Sequence, residues 1–543
     1  MRTHWYKNAI FYSLNVETFF DSNGDGIGDF PGLTQKLDYI ASLGTTCLWL
    51  LPFYPSPNRD NGYDVMDYYN VSPRLGTLGD FGEFMVQAKE RGIRVLIDMV
   101  INHTSVEHPW FQSSRSDPNS PYRNYYIWVD TPPDPDKVAQ KDVAFPGVED
   151  SIWEYDEAAQ AYYLHHFYKE QPDLNFTNPE VREEICKIMG FWLALGVSGF
   201  RIDAAPYMLE TPGLEDVEPE KLKGFYKEMR SFVTNRCSDA ILLAEANEPP
   251  EKIPMFFGEG DRMHVLFNFL LNQYMFLALA REDANTLKEG FKLLPEIPAD
   301  AHWLNFVRHH DELTLDQLTE AERQEIFKVF APQENMQIYG RGIRRRLPPM
   351  VENDRRRLEL IYSLLFSLPG IPMLRYGEEI GMGDDLSLQG RGSVRTPMQW
   401  ANEENGGFST GSADQLASPM ISSGDYGYQQ VNVACQQLDP NSLLNWIERA
   451  TRMRKQAMEF GWGQPEVIEA DEPCVFAHCC YQKDKAMLAV HNLSGKPCTA
   501  TLKANHLSHL VDFFSDRTYD PVSDHSISLS PYGYRWFKVK RQP

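Results

Sequence analysis

Eight short, almost unbroken apolar runs, each followed by a longer amphipathic stretch, constrain this chain more than anything else in its sequence. They fall at residues 9–16, 45–51, 93–100, 199–203, 241–245, 264–267, 303–308 and 371–376. A run that is apolar on both faces suits a parallel strand covered on both sides. Stretches between them, such as residues 84–91 and 179–195, carry helical spacing. Eight strands alternating with helices predict an α/β fold, a (β/α)8 barrel. Asp98, Asp203, Glu245 and Asp311 stand near the C-terminal ends of four runs, the rim where such barrels place their chemistry.

Two segments break the alternation. Residues 102–173 are rich in Pro, Asp, Tyr and Trp and lack helical spacing, which predicts a loop-rich insertion after the third strand. From residue 464 onward the pattern changes to short runs at 475–478, 486–491, 499–502 and 534–539, bounded by turn residues. The expected organisation is a catalytic barrel over 1–101 and 174–463, an insertion domain over 102–173, and a C-terminal β-sandwich over 464–543.

Charge and cysteine usage narrow the function classes. Lys and Arg number 52 against 76 Asp and Glu, so 52 − 76 = −24. That balance opposes nucleic acid and anionic membranes as partners. The N-terminus lacks the order of a secretory signal, and the apolar region 358–374 is broken by Pro369, Gly370 and Pro372, so no membrane span is expected. The eight cysteines are scattered; Cys474, Cys479 and Cys480 cluster without C-x-x-C spacing, which reads as reduced thiols in a cytoplasmic protein. The basic stretches 341–346 and 355–357 read as helix-surface and ion-pair residues. A homo-oligomer is compatible with all of this and not required by it.

Asp203 closes Gly199-Phe200-Arg201-Ile202-Asp203 and Glu245 closes Leu242-Leu243-Ala244-Glu245. A carboxylate ending an apolar strand is costly without partners. Two facing each other across a rim supply what retaining glycoside chemistry needs, a nucleophile and a proton donor about 5–5.5 Å apart. Arg201 shares a strand face with Asp203, and its charge is expected to keep that carboxylate ionised. A structural Arg–Asp pair is the alternative for this motif taken alone.

The motif has company. Asp98-Met-Val-Ile-Asn102-His103, Gly199 to Asp203, Glu245 with its strand, and His310-Asp311 occur in that order, together with Asp60-Asn-Gly-Tyr63-Asp64 and Arg395-Thr-Pro-Met-Gln-Trp400. In this combination the chain resembles the α-amylase superfamily, glycoside hydrolase family 13, over essentially its whole length. The resemblance implies Asp203 as nucleophile, Glu245 as acid/base and Asp311 as third carboxylate. It implies that His103, Arg201 and His310 bind the glucosyl ring, that Tyr63 stacks on it, and that Asp60 with Arg395 closes its non-reducing end. Within the superfamily the likeness is strongest to the trehalose synthases, which interconvert maltose and trehalose. It rests on the 21–29 loop, Pro52-Phe-Tyr-Pro-Ser-Pro57, Gln171-Pro-Asp-Leu-Asn175, Ala244-Glu-Ala-Asn247, His310-Asp-Glu-Leu-Thr314 and residues 340–347. That likeness places Tyr207, Asn247 and Glu312 on the acceptor side. Three departures stand out: His309 where Asn is common, Arg375 where an aromatic is expected, and Gly390 where an acidic residue is common.

Asp21, Asn23, Asp25 and Asp29 form a hard-oxygen loop with glycines between them, resembling the start of an EF-hand but with Gly32 at the twelfth position. Ca2+ or Mg2+ is expected there, with self-hydrogen-bonded Asx turns the rival. The family resemblance implies a second ion held by Asn102, Asp173 and Glu210. No organic cofactor is expected, since the glycines of the first loop lack a phosphate-binding context. The expected function is retaining α-glucosyl transfer between maltose and trehalose. A small-α-glucoside hydrolase is the alternative, and a noncatalytic barrel is opposed by the three intact carboxylates.

Overall fold

The computed structural model describes residues 4–132, 144–145, 147–209, 219–504, 507–522 and 525–541. Eight parallel strands close into a barrel: β1 (Phe11–Leu14), β2 (Cys47–Leu50), β3 (Arg94–Met99), β4 (Gly199–Ile202), β5 (Ile241–Ala244), β6 (Val265–Phe267), β7 (His302–Phe306) and β8 (Ile371–Arg375). Neighbours in sequence are neighbours in space, and β8 closes on β1 with Phe11 opposite Met373. Each strand lies inside one of the eight apolar runs, give or take a residue. Phe11, Trp49, Leu96, Leu243, Phe267, Phe306 and Met373 fill the barrel interior as one apolar cluster. Gly199 opens β4 at φ 147°, and a Cβ there would collide with the carbonyl of Ile241, so close strand approach demands glycine.

Helices wrap the outside. Leu78–Glu90 starts with a Thr77–Asp80 capping box, and Pro179–Ala194 starts with Asn178 as cap and Pro179 in the first turn. Among the described residues no helix is long and apolar enough to cross a membrane, and none of the eight cysteines is in a disulfide.

The insertion after β3 is loop-rich among its described residues, with a few short regular elements. It holds the helix Pro109–Ser116 and a three-stranded antiparallel sheet of Trp128–Val129, Ala161–Leu164 and Trp153–Asp156. Beyond the barrel, five antiparallel strands pair in the order Gln464–Ile468, Val475–Gln482, Lys485–Asn492, Tyr534–Arg541, Leu507–Ser515. A two-stranded sheet, Cys498–Thr501 with Ser526–Leu529, packs on one face through Ala500, Ile527 and Leu529. The other face sits on the barrel helix Arg355–Ser367. There His478 Nε2 donates to the Ser367 carbonyl (2.9 Å), while His491 Nε2 and Trp536 Nε1 meet Ser363 Oγ at 3.0 Å each.

Candidate active site

Because Asp203 follows β4 by one residue and Glu245 follows β5 by one, the strand register puts both side chains on the C-terminal rim. Arg201, on β4, lies between them. One of its Nη atoms donates to Asp203 and to Asp98 on β3 (2.8 and 3.1 Å to the two Asp98 oxygens); the other donates to Glu245. A single guanidinium bridging both carboxylates holds them near one another, as a retaining pair requires. Arg201 is 1% exposed. Burial works against its charge, but Asp98 and Asp203 outweigh that and raise its pKa. Asp98 is lifted to about 7 by burial, with Arg201 opposing. Asp203 is also raised, because burial and nearby Asp311 outweigh Arg201. Arg201 alone therefore does not hold Asp203 down, contrary to the expectation from spacing: it is one cation among three carboxylates.

Asp311 has a different environment. Its Oδ1 accepts from Arg391 Nη1 and Arg395 Nη2, both at 2.6 Å, and its Oδ2 lies 2.8 Å from His310 Nε2. Burial would push this carboxyl up, but His310 and the two arginines hold it well below the usual range. Burial also lowers His310 to about 3, so the ring is neutral and donates through Nε2–H. Tyr63 stacks on that ring at 5.5 Å, accepts from it at 2.8 Å and donates to Asp98 at 2.9 Å.

These residues surround a cavity of about 320 Å3. Its walls carry Asp60, Tyr63, His103, Asp203, Glu245 and Asp311, together with Tyr207, Asn247 and Glu312, the three expected to face the acceptor. Three predicted sugar ligands are placed differently. Arg201, His310 and Arg395 lie behind the wall and hold the residues that form it. The expected Asp60–Arg395 closure is not formed either. Asp60 Oδ1 pairs with Arg391 Nη2 (2.9 Å) and its Oδ2 accepts from Gln171 (3.2 Å), while Arg395 binds Asn61, the His310 carbonyl and Asp311. The loop carrying both arginines is a single 3-10 turn, Gly390–Val394, ending in Arg395, and only the three-dimensional register shows which guanidinium reaches Asp60. Gly390, one of the three departures, takes φ 52° at the start of that turn.

Tyr207 packs on His166 and Phe167. Asn247 donates to both oxygens of Asp316 (3.0 and 2.8 Å) and accepts from Gln317 (3.1 Å), which ties the loop after β5 to the loop after β7. Burial pushes the Glu312 carboxyl up. Sequence reasoning missed Asp316, Arg391 and the aromatic walls Phe145 and Phe167. Aromatic-rich text in the insertion was the only signal for the last two.

The predicted cation loop is tightly hydrogen-bonded. Asp21 accepts from the backbone of Asn23, Gly24 and Gly26 and from Ser409 Oγ (2.6 Å); Asp29 accepts from Ser22 and Gly32; Asn23 and Asp25 form Asx turns. Asp21 and Asp29 are buried without an ionic partner among the described residues. Of the second set, Asn102 and Asp173 lie side by side. Asp173 is engaged by His166 and by Asn102 (3.1 Å), and Glu210 lies outside the described residues.

Residues 14–463 match the alpha amylase catalytic domain, and residues 466–536 the C-terminal domain of maltogenic amylase. The chain belongs to the α-amylase family. Among curated members it is 43% identical to a trehalose synthase of Thermus thermophilus, over 99% of this chain but 56% of that protein's length. It is 40% identical to the trehalose synthase/amylase of Mycolicibacterium smegmatis, over 99% of this chain and 93% of that one. The crystal structure of the trehalulose synthase of Pseudomonas mesoacidophila superposes with a TM-score of 0.77 at 28% identity, covering 99% of both chains. In this α-amylase family enzyme, Asp203, Glu245 and Asp311 line one cavity at the barrel rim.

Proposed function

We propose that this enzyme interconverts maltose and trehalose by retaining glucosyl transfer. The observation that carries the reading is Arg201 holding Asp203 and Glu245 together at the wall of one small cavity. Likeness to trehalose synthases over nearly the whole chain supports the choice of substrate. Asp203 attacks the anomeric carbon of maltose and displaces glucose, whose departing oxygen takes the proton from Glu245. The freed glucose turns within the cavity and presents its anomeric hydroxyl. Glu245 removes that proton as the oxygen attacks the glucosyl ester, releasing Asp203 and forming trehalose. If water attacks instead, the product is glucose. Asp60 and Arg391 close the non-reducing end; Tyr207, Asn247 and Glu312 retain the acceptor. The deciding experiment is incubation with maltose, following trehalose and free glucose by NMR. Glucose without trehalose would leave only the hydrolase.

The Asp21–Asp29 loop is the place we propose for a structural Ca2+. Its donors are hard oxygens, and the buried Asp21 and Asp29 carboxylates otherwise lack a cationic partner among the described residues. A bound ion there would neutralise the loop without touching the reacting atoms.

A further inference from the structure

The segment His309–Asp311 belongs to neither helix nor strand, so its backbone groups have no ladder to satisfy them. Each of its three carbonyls instead accepts from a different arginine. His309 O takes Arg375 Nη1 at 3.2 Å, His310 O takes Arg395 Nε at 2.9 Å, and Asp311 O takes Arg308 Nη2 at 2.9 Å. The Asp311 N–H donates to His309 Nδ1 at 3.1 Å. Arg308 and Arg375 are 2% and 3% exposed. His309 and Arg375, two of the positions where the sequence departs from the family pattern, therefore meet in one hydrogen bond.

We propose that Arg375 and Arg308 are positioning residues that clamp the His309–Asp311 backbone and fix the Asp311 carboxylate before substrate arrives. This deepens the glucosyl-transfer reading and rests on it. Neither arginine lines the cavity; both act through the backbone that carries Asp311. Burial lowers the two guanidiniums, Arg375 to about 9 and Arg308 to about 10, so both remain charged near neutrality and their bonds to carbonyls are charge-assisted. Arg395 also binds the Asp311 carboxylate directly, so only Arg308 and Arg375 separate positioning from contact. Losing the Arg375 bond frees the segment at its first carbonyl. A displacement of about 1 Å at the group that grips the flattening sugar ring costs roughly 100-fold in rate.

The test uses the full chain and α-glucosyl fluoride, whose fluoride release reports glucosylation of Asp203 whatever the acceptor. Arg375→Met, normalised to folded protein by thermal melting, is expected to lose roughly 10- to 100-fold in kcat with KM nearly unchanged. Affinity for 1-deoxynojirimycin, a charged mimic of the transition state, should fall in parallel with kcat/KM, and Arg375→Lys should recover part of both. A purely structural arginine would move the melting temperature without that parallel. Wild-type kcat and iminosugar affinity in Arg375→Met overturn the proposal, as does a rise in KM alone. If Arg375→Met does not fold, Arg308→Gln applies the same criteria at the Asp311 carbonyl. A wild type that releases fluoride but makes no trehalose from maltose defeats the isomerase reading and leaves the clamp to be judged on fluoride release.

Discussion

Replacing Arg391 with Met removes one cation from two carboxylates at once, and the structure indicates how unequal the two losses are. Arg391 lies over the Phe145 ring at 4.8 Å with its side chain 12% exposed, bound to Asp60 at 2.9 Å and Asp311 at 2.6 Å. Without it Asp311 keeps His310 and Arg395, whereas Asp60 keeps only the neutral Gln171 amide. Severing a buried pair costs roughly 2–5 kcal/mol. Gln171 and water entering the cavity place this case at the low end, about 2–3 kcal/mol, which is roughly 30- to 150-fold in kcat/KM. Most of that loss should appear in KM, because Asp60 closes the end of the glucose site and the third carboxylate stays held. Arg391 is also one of the groups holding Asp311 below the usual carboxylate range. Removing it raises the Asp311 pKa toward the usual carboxylate range. The assay is maltose consumption between pH 4 and 8, with a melting curve to confirm folding and Arg391→Lys as the charge-conserving control. A kcat/KM within about threefold of wild type would refute the closure argument.

Other expectations follow from the same geometry. Asp203→Asn should fold and lose transfer and hydrolysis together, while Glu245→Gln should still be glucosylated by glucosyl fluoride, which needs little acid assistance; maltose turnover near wild type in the first, or no labelling of a folded second variant, counts against the roles. Asn247→Ala or Tyr207→Phe should lower the trehalose-to-glucose ratio several-fold with total maltose consumption less affected, since one neutral hydrogen bond of about 0.5–1.5 kcal/mol decides such a partition; an unchanged ratio removes them as acceptor residues. Ca2+ added after chelation should raise the melting temperature by a few degrees in wild type but not in Asp21→Asn, as ligand linkage requires; identical curves with and without Ca2+ remove the ion from the loop. Burial lowers His478 from 6.5 to about 4, so its stabilisation is complete above pH 6.5 and is lost as pH falls toward 4. That gap is worth about 3 kcal/mol, and His478→Gln should flatten this part of the stability–pH curve.

The barrel was legible because eight buried parallel strands leave eight apolar runs separated by longer amphipathic stretches. What stayed hidden had weaker periodicity. Strand Gln464–Ile468 reads Gln-Pro-Glu-Val-Ile, is largely exposed at a sheet edge, and is demoted by its proline. Strand Leu507–Ser515 has register irregularities between Ser508 and Leu510 and between Asp512 and Phe514, which break the alternation a reader would count. Helix Pro109–Ser116 has eight residues, too few for a 3.6-residue period to emerge from aromatic-rich text.

In the site, sequence motifs named the groups but not their layers. Arg201, His310 and Arg395 belong to the expected constellation, yet they stand behind the cavity wall, and Arg391 takes the place at Asp60 that Arg395 was expected to fill. The reason is a charge problem that spacing does not display. Asp60, Asp98, Asp203, Glu245 and Asp311 converge on one small volume, and three guanidiniums, Arg201, Arg391 and Arg395, are shared among them. Each arginine is held by the carboxylates, so its position follows from where they converge and not from its place in a motif. Among the described residues the cavity walls carry seven carboxyls against Lys252, Arg341 and Arg391, so the pocket stays net negative around a neutral sugar even with Glu245 and Glu312 protonated. As the glycosidic bond breaks and positive charge develops at the anomeric carbon, that surplus stabilises the transition state more than the bound substrate. A fully neutralised site would hold its own carboxylates more firmly and lose that difference.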